Sequence, residues 1–271
     1  MIEEGELYCW GLPASAPGPG DPPWRTGAFT AHSPRFPPYR VRLPRRVLQV
    51  STGGSDGCAL LEGGEVHCFG VIVQGPACEE TSTHLFVPVP LPEPVVEIAS
   101  QGTTMCVLFE SRELWCWGGP QRPRSATVAS CDLRRVETTN GQPLRQVARF
   151  EVGAAIDARG VSYRWDPRGV RLVARMVDVP AARDLAVLGT DALFVTREGG
   201  LWLHYSGEAR RYDAPPVERV RCDSRCFAIT SGGELFRLGE RAERLFPERR
   251  FESVLAFDAS CLRDADGVYC W

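Results

Sequence analysis

Lysine is missing altogether: all 31 basic side chains of the 271 residues are arginine. That excludes Schiff-base chemistry and the Walker type of phosphate loop, and codon bias accounts for it. Histidine is scarce, with His32, His67, His84 and His204 only, and none has a second ligand at metal spacing. H-E-x-x-H, G-x-S-x-G and G-x-G-x-x-G are all absent, so no motif announces a zinc protease, a hydrolase or a dinucleotide site. Asp157, Asp166, Asp264 and Asp266 fall in turns, where Asp bonds its own backbone, and no catalytic constellation is visible. No apolar run reaches the ~18 residues of a membrane span, and MIEEGELYCWG has neither the basic start nor the apolar stretch of a signal peptide. A net charge of −3 offers nucleic acid no basic face. The expectation is a protein with no cofactor, no metal, no membrane and no nucleic acid.

What the chain has in abundance is a repeat. Cys58 to Gly70 reads CALLEGGEVHCFG, and Cys106 to Gly118, Phe227 to Gly239 and Cys261 to Trp271 repeat its form. Worn copies run from Ala154 to Asp166 and from Phe194 to Ser206, and Gly5 to Gly11 is the second half alone. Two short apolar runs around a glycine-bearing turn make a β-hairpin. Its second strand ends on a column, Trp10, Phe69, Trp117, Trp165, Tyr205, Leu238 and Trp271, whose regularity fits packing between repeats.

Eleven cysteines are many, and their placement is informative. Pairing the strands about the turn sets Cys58 opposite Cys68, Cys106 opposite Cys116 and Cys261 opposite Cys270. The other hairpins have cysteine at neither facing position: Ala154/Arg164, Phe194/His204 and Phe227/Arg237. Buried free thiols would leave half-occupied hairpins, so joint presence or absence favours disulfides. Disulfides point to an extracellular, periplasmic or cell-surface setting, whereas the leaderless start allows a cytoplasmic one. Cys78 and Cys131 lie in comparable loops and could pair, and Cys222 and Cys226 form either a local disulfide or a buried pair.

A branched, alternating strand precedes each hairpin: Val47–Val50, Val95–Ile98, Leu144–Val147, Asp184–Val187, Val217–Val220 and Phe251–Val254. Looser strands follow, such as Tyr39–Leu43, Leu85–Val89 and Val170–Ala174. Four antiparallel strands make a blade, and blades repeated radially make an all-β propeller. Counting first strands gives six blades, alternatively seven, in one domain over residues 1–271. Extra length lies in insertions 12–38, 71–84 and 119–143, whose aromatic and arginine side chains are of the kinds that anchor protein interfaces: Trp24, Phe29, Phe36, Tyr39, Arg122, Arg124, Arg134 and Arg135.

CALLEGGEVHCFG and CVLFESRELWCWG, each preceded by V-x-x-[VI], resemble the repeats of the regulator-of-chromosome-condensation family of β-propellers, in particular its cysteine-paired bacterial versions. The resemblance spans Gly5 to Trp271 and is faint at 154–166 and 194–206. Family propellers mostly have seven blades. The roles implied are binding ones: nucleotide exchange on a small GTPase, chromatin docking, or inhibition of β-lactamases by a secreted bacterial relative. The repeated residues are scaffold, so the partner does not transfer with them. The expectation is a monomeric, non-enzymatic module that binds a protein partner through loops on one face. The alternatives are a propeller enzyme with carboxylates and His32, His84 or His204 at the channel mouth, or a regulator of a partner enzyme or small GTPase.

Overall fold

The computed structural model describes residues 2–11, 36–53, 56–70, 83–118, 133–169, 171–222, 225–255, 261–264 and 267–270. No helix occurs among them. Two compact units divide the chain, Met1–Arg135 and Val136–Trp271.

Unit 1 opens with a three-stranded sheet, β1 (Ile2–Glu3), β2 (Glu6–Gly11) and β3 (Phe36–Val41). An antiparallel meander follows: β4 (Val47–Gly53), β5 (Asp56–Leu61), β6 (Val66–Gly70) and β7 (Thr83–Pro88). A second comprises β8 (Val95–Gln101), β9 (Thr104–Phe109), β10 (Leu114–Gly118) and the start of β11 (Arg134–Thr138). Unit 2 continues with β12 (Val147–Glu151), β13 (Ala154–Asp157), β14 (Ser162–Arg164) and β15 (Leu172–Met176), and Val136–Thr138 of β11 runs parallel to β15. Then come β16 (Ala182–Leu188), β17 (Asp191–Thr196), β18 (Leu201–Tyr205) and β19 (Glu208–Arg211), followed by β20 (Arg219–Cys222), β21 (Cys226–Ile229), β22 (Leu235–Leu238) and β23 (Ala242–Leu245). The last sheet is β24 (Ser253–Leu255), β25 (Cys261–Asp264) and β26 (Gly267–Cys270).

One turn closes the middle hairpin of five sheets. Its third residue adopts left-handed φ: Gly64 (82°), Arg112 (62°), Gly160 (92°), Gly199 (86°) and Gly233 (76°). At Gly64 the requirement is steric as well as conformational, because an added Cβ would come within 2.6 Å of the Pro94 Cβ. The close approach exists because the Gly64 carbonyl accepts the Val95 N–H at 3.0 Å. Val47 bonds Gly5, Ala182 bonds Gly160, Val217 bonds Gly199 and Phe251 bonds Gly233 in the same way, at 2.8 to 2.9 Å. At these five places one backbone bond ties a hairpin turn to the start of the next first strand. The Gly5 copy shows that Glu6–Gly11 belongs to a sheet of its own, between β1 and β3.

The turn corrects one expectation. In REGGL the first glycine, Gly199, takes the left-handed position, and Gly200 leads into the strand from Leu201, so the repeat at 194–206 is offset by one. Leu193 faces Leu203, in the place of Cys58 and Cys68, while Phe194 faces Trp202 and His204 faces Ala192. His204, and not Tyr205, therefore occupies the aromatic column, and Tyr205 is exposed. A second correction concerns the strand expected at Leu144–Val147. It begins three residues later, because Val147 and Phe150 carry the apolar contacts, like Val95 and Ile98. The fourth strands are likewise displaced by two or three residues, to β3, β7 and β15.

The core lies between successive sheets. Second strands are buried on both faces: β9, β13 and β21 contain no exposed residue, which makes their sequences continuously apolar rather than alternating. In unit 1, Cys58, Leu60 and Val66 pack against Val95, Ile98, Met105, Phe109 and Trp117. In unit 2, Ala154 and Ile156 pack against Leu185, Val187 and Phe194, and Val195 and Leu201 pack against Val220 and Ala228. Cys58–Cys68 and Cys106–Cys116 are disulfides with Cα atoms 4.0 Å apart, and Cys222–Cys226 is a third. Cys261 and Cys270 are register partners whose side chains lie outside the described residues. Cys78 and Cys131 also lie outside them.

Candidate functional site

A first strand has one edge with no strand beside it, so its outward N–H groups must find other partners. In unit 1 those partners are side chains of the preceding first strand. Gln49 on β4 brackets Ile98 on β8: its Oε1 accepts the Ile98 N–H at 2.9 Å and its Nε2 donates to the Ile98 carbonyl at 2.8 Å. Two residues on, the Ser51 hydroxyl accepts the Ser100 N–H at 2.8 Å.

Unit 2 uses the same two positions with charge in them. Asp184 on β16, at the position of Gln49, accepts the Val220 N–H at 2.9 Å, and Glu151 on β12, at the position of Ser51, accepts the Val187 N–H at 2.7 Å. Two arginines complete the cluster. Arg149 on β12 pairs with Asp184, and Arg221 on β20 reaches both Asp184 oxygens at 3.3 and 3.4 Å. Asp184 is buried, held by a peptide N–H and two guanidiniums. Burial pushes the Glu151 carboxyl up to about 7, against the Val187 N–H and the Arg221 and Arg149 charges, which favour the carboxylate; the Asp184 charge adds to the rise. Two carboxylates and two guanidiniums thus meet across three first strands, and Glu151 can take up or release a proton near neutrality. The cluster holds no nucleophile with an adjacent base.

Sequence reading missed this cluster because the strand that carries Arg149 and Glu151 was placed too early. A signal is present: Arg149/Glu151 and Arg219/Arg221 each flank a single apolar residue, Phe150 or Val220, in the alternation of a strand.

The expected interface residues are distributed differently. Trp24, Phe29, Arg122 and Arg124 lie outside the described residues. Phe36 and Tyr39 belong to β3, opposite Gly11 and Cys9, with side chains outside the description. Arg134 and Arg135 stand together on β11, where Arg134 donates to the Gly118 carbonyl at 2.9 Å and Arg135 lies over the Trp115 ring at 5.8 Å. Glu113 is 3.9 Å from Arg135. As consecutive residues of one strand the two arginines point to opposite faces, and only Arg135 shares its face with Trp115 and Glu113.

Among the histidines, His67 is 3.8 Å from Glu65. His204 is held below its ordinary range by burial and by the Arg164 charge, against the pull of Asp191. Arg164 itself donates to the Thr190 carbonyl at 2.7 Å. Among the described residues no group of three His, Cys, Asp or Glu could hold a metal. Unit 1 also has a cleft of about 490 Å³ between β2, β3 and the 42–46 connection. Arg40, Arg45 and Arg46 line it with Glu4, Glu6 and Glu62, and Arg40 is paired with Glu6 at 2.6 Å.

Comparison with solved structures identifies the architecture. The chain is similar to human WBSCR16, with a TM-score of 0.66 and 16% identity over 90% of this chain and 80% of that one. It is similar to Prp20p from Saccharomyces cerevisiae, whose structure was described with its binding to Gsp1p and histones, with a TM-score of 0.68 and 14% identity over 90% and 73%. Yeast RCC1 bound to Kap60 gives 0.64 and 15% over 90% and 71%. No protein-family profile and no curated protein matches the sequence. The fold is an all-β propeller of the RCC1 type.

Proposed function

We propose that residues 1–271 form a single propeller domain that acts as a non-enzymatic interaction module, holding a protein partner through loops at one end of its sheets. One observation carries this reading. The long connections of unit 1, residues 12–35, 71–82 and 119–133, all join the last two strands of a repeat, β2 to β3, β6 to β7 and β10 to β11, so they leave unit 1's sheets at equivalent ends. In unit 2 the same connection is shorter, 165–171, 206–207 or 239–241. Length concentrated at one equivalent position on a rigid scaffold is the pattern of a binding surface. Trp24, Phe29, Phe36 and Tyr39 supply the aromatic anchors, and Arg122, Arg124, Arg134 and Arg135 the charges. Prp20p, a structural neighbour, is described as binding Gsp1p and histones, which supports a protein partner, including one that is itself an enzyme or a small GTPase.

Binding is favoured over catalysis because Glu151 and Asp184 are both committed to backbone N–H groups and arginines. Three disulfides among the described residues support a setting outside the reducing cytosol, and the proposed module is a monomer without membrane or nucleic-acid contact. The test compares the intact chain with two variants, one with 12–35 replaced by a two-residue turn and one with Trp24→Ala and Phe36→Ala. Affinity capture followed by titration of the captured protein should show binding weakened at least tenfold in both, with Tm changed by no more than about 2 °C. Equal binding by all three proteins would overturn the reading.

A further inference from the structure

The three disulfides are not alike. Cys58, Cys68, Cys106 and Cys116 are at most 1% exposed and join the two central strands of four-stranded sheets. Cys222–Cys226 instead joins a first strand to a second across the turn between β20 and β21, with a sequence separation of 4 against 10 for the other two. Cys226 is 6% exposed, and Cys222 is half-buried, on the strand with an open edge. Arginines flank the pair at 221 and 225, and Arg225 is exposed. Arg221 is held by Asp184, so Arg225, exposed and next to Cys226 in the chain, is the cation that favours a thiolate here, and Asp223, between the two cysteines in the sequence, opposes it. Access decides which disulfide exchanges first. A short closed loop also constrains the unfolded chain least, so this bond contributes least to the fold it would interrupt.

We infer that Cys222–Cys226 is a thiol–disulfide exchange site, opened by a dithiol reductant while the other two disulfides stay closed. The incoming thiolate attacks the Cys222 Sγ, the S–S bond breaks, and its electron pair leaves on the Cys226 Sγ. The second thiol of the reductant then attacks its own sulfur in the mixed disulfide and releases the Cys222 thiolate. The dithiol ends as a disulfide, the protein gains two electrons, and two protons complete its thiols. Opening the turn loosens the end of β20, the strand whose Arg221 is bound to Asp184.

The experiment titrates the native, oxidised full chain with dithiothreitol, alkylates the free thiols, and locates the label by peptide mass spectrometry. Cys222 and Cys226 should be labelled at a reductant concentration about tenfold or more below that required for Cys58, Cys68, Cys106 and Cys116. Simultaneous labelling of all six, or labelling of this pair last, overturns the inference. Arg225→Glu should slow reduction of the pair by about threefold or more at low salt, with the effect shrinking at high salt. An unchanged rate would remove the charge from the explanation and with it the basis for selective exchange.

Discussion

At Glu151 a carboxyl replaces the serine hydroxyl that does the same work in unit 1, and the exchange makes folding depend on pH. The folded chain holds this proton up to about pH 7, whereas an exposed glutamate releases it near 4.5, so folding takes up a proton between those values. Stability contributed here is greatest below 4.5, falls as pH rises through 7, and levels off above. The difference amounts to as much as about 3 kcal/mol. Glu151→Gln keeps an oxygen for the Val187 N–H and carries no charge. Urea denaturation should show the variant more stable than the parent by about 1–3 kcal/mol at pH 8 and equal within about 0.5 kcal/mol at pH 4. An equal advantage at both values would mean that packing, not the proton, is responsible. Gly64 shows a residue whose role was fully legible: a glycine pair at a hairpin tip predicts positive φ. Glu151 shows one that was not, since what raises its affinity for a proton is burial between three strands that meet only in the fold.

The hairpin is the element through which most of the fold could be read, and also where the reading slipped. Cys58 and Cys68, being cysteines, fix their own register, and the structure pairs them as expected. At 194–206 no cysteine marks the facing positions, and two adjacent glycines admit two alignments that differ by one residue. Only one glycine of the pair must be left-handed, and the sequence does not say which. A one-residue slip turns every side chain to the other face, which is why Tyr205 was placed in the packing column that His204 occupies. Paired cysteine substitutions separate the two registers. L193C/L203C should close a disulfide on air oxidation, stabilising the oxidised form over the reduced by about 2–3 kcal/mol, because these positions face each other as Cys58 and Cys68 do. F194C/H204C, which the sequence alignment alone would favour, should keep both added thiols free to a thiol reagent. Disulfide formation in the second variant and not the first would restore the alignment that the structure displaced.

In two sheets of unit 1 a buried disulfide and a long connection occur together. The sheets β4–β7 and β8–β11 contain connections of 12 residues (71–82) and 15 residues (119–133), and each has a buried disulfide in its middle hairpin. In β16–β19 and β20–β23 the same connection has two or three residues, and the facing positions hold Leu193/Leu203 and Phe227/Arg237. Lengthening a connection from two or three residues to 12 or 15 costs about 1–1.5 kcal/mol in closure entropy. A disulfide closing a loop of ten or so residues returns about 2–3 kcal/mol. In these two sheets the cross-link offsets the insertion, and this coupling is hidden in the sequence because neither cost nor gain belongs to a single residue. Replacing Cys58 and Cys68 by alanine should lower stability by about 2–3 kcal/mol, and hydrogen exchange should quicken over 47–70 while 182–196 is unaffected. Shortening 71–82 to a two-residue turn in that variant should recover about 1–1.5 kcal/mol. If the shortened variant is no more stable than its cysteine-free parent, the insertions carry no closure cost, and the disulfides answer to some other demand.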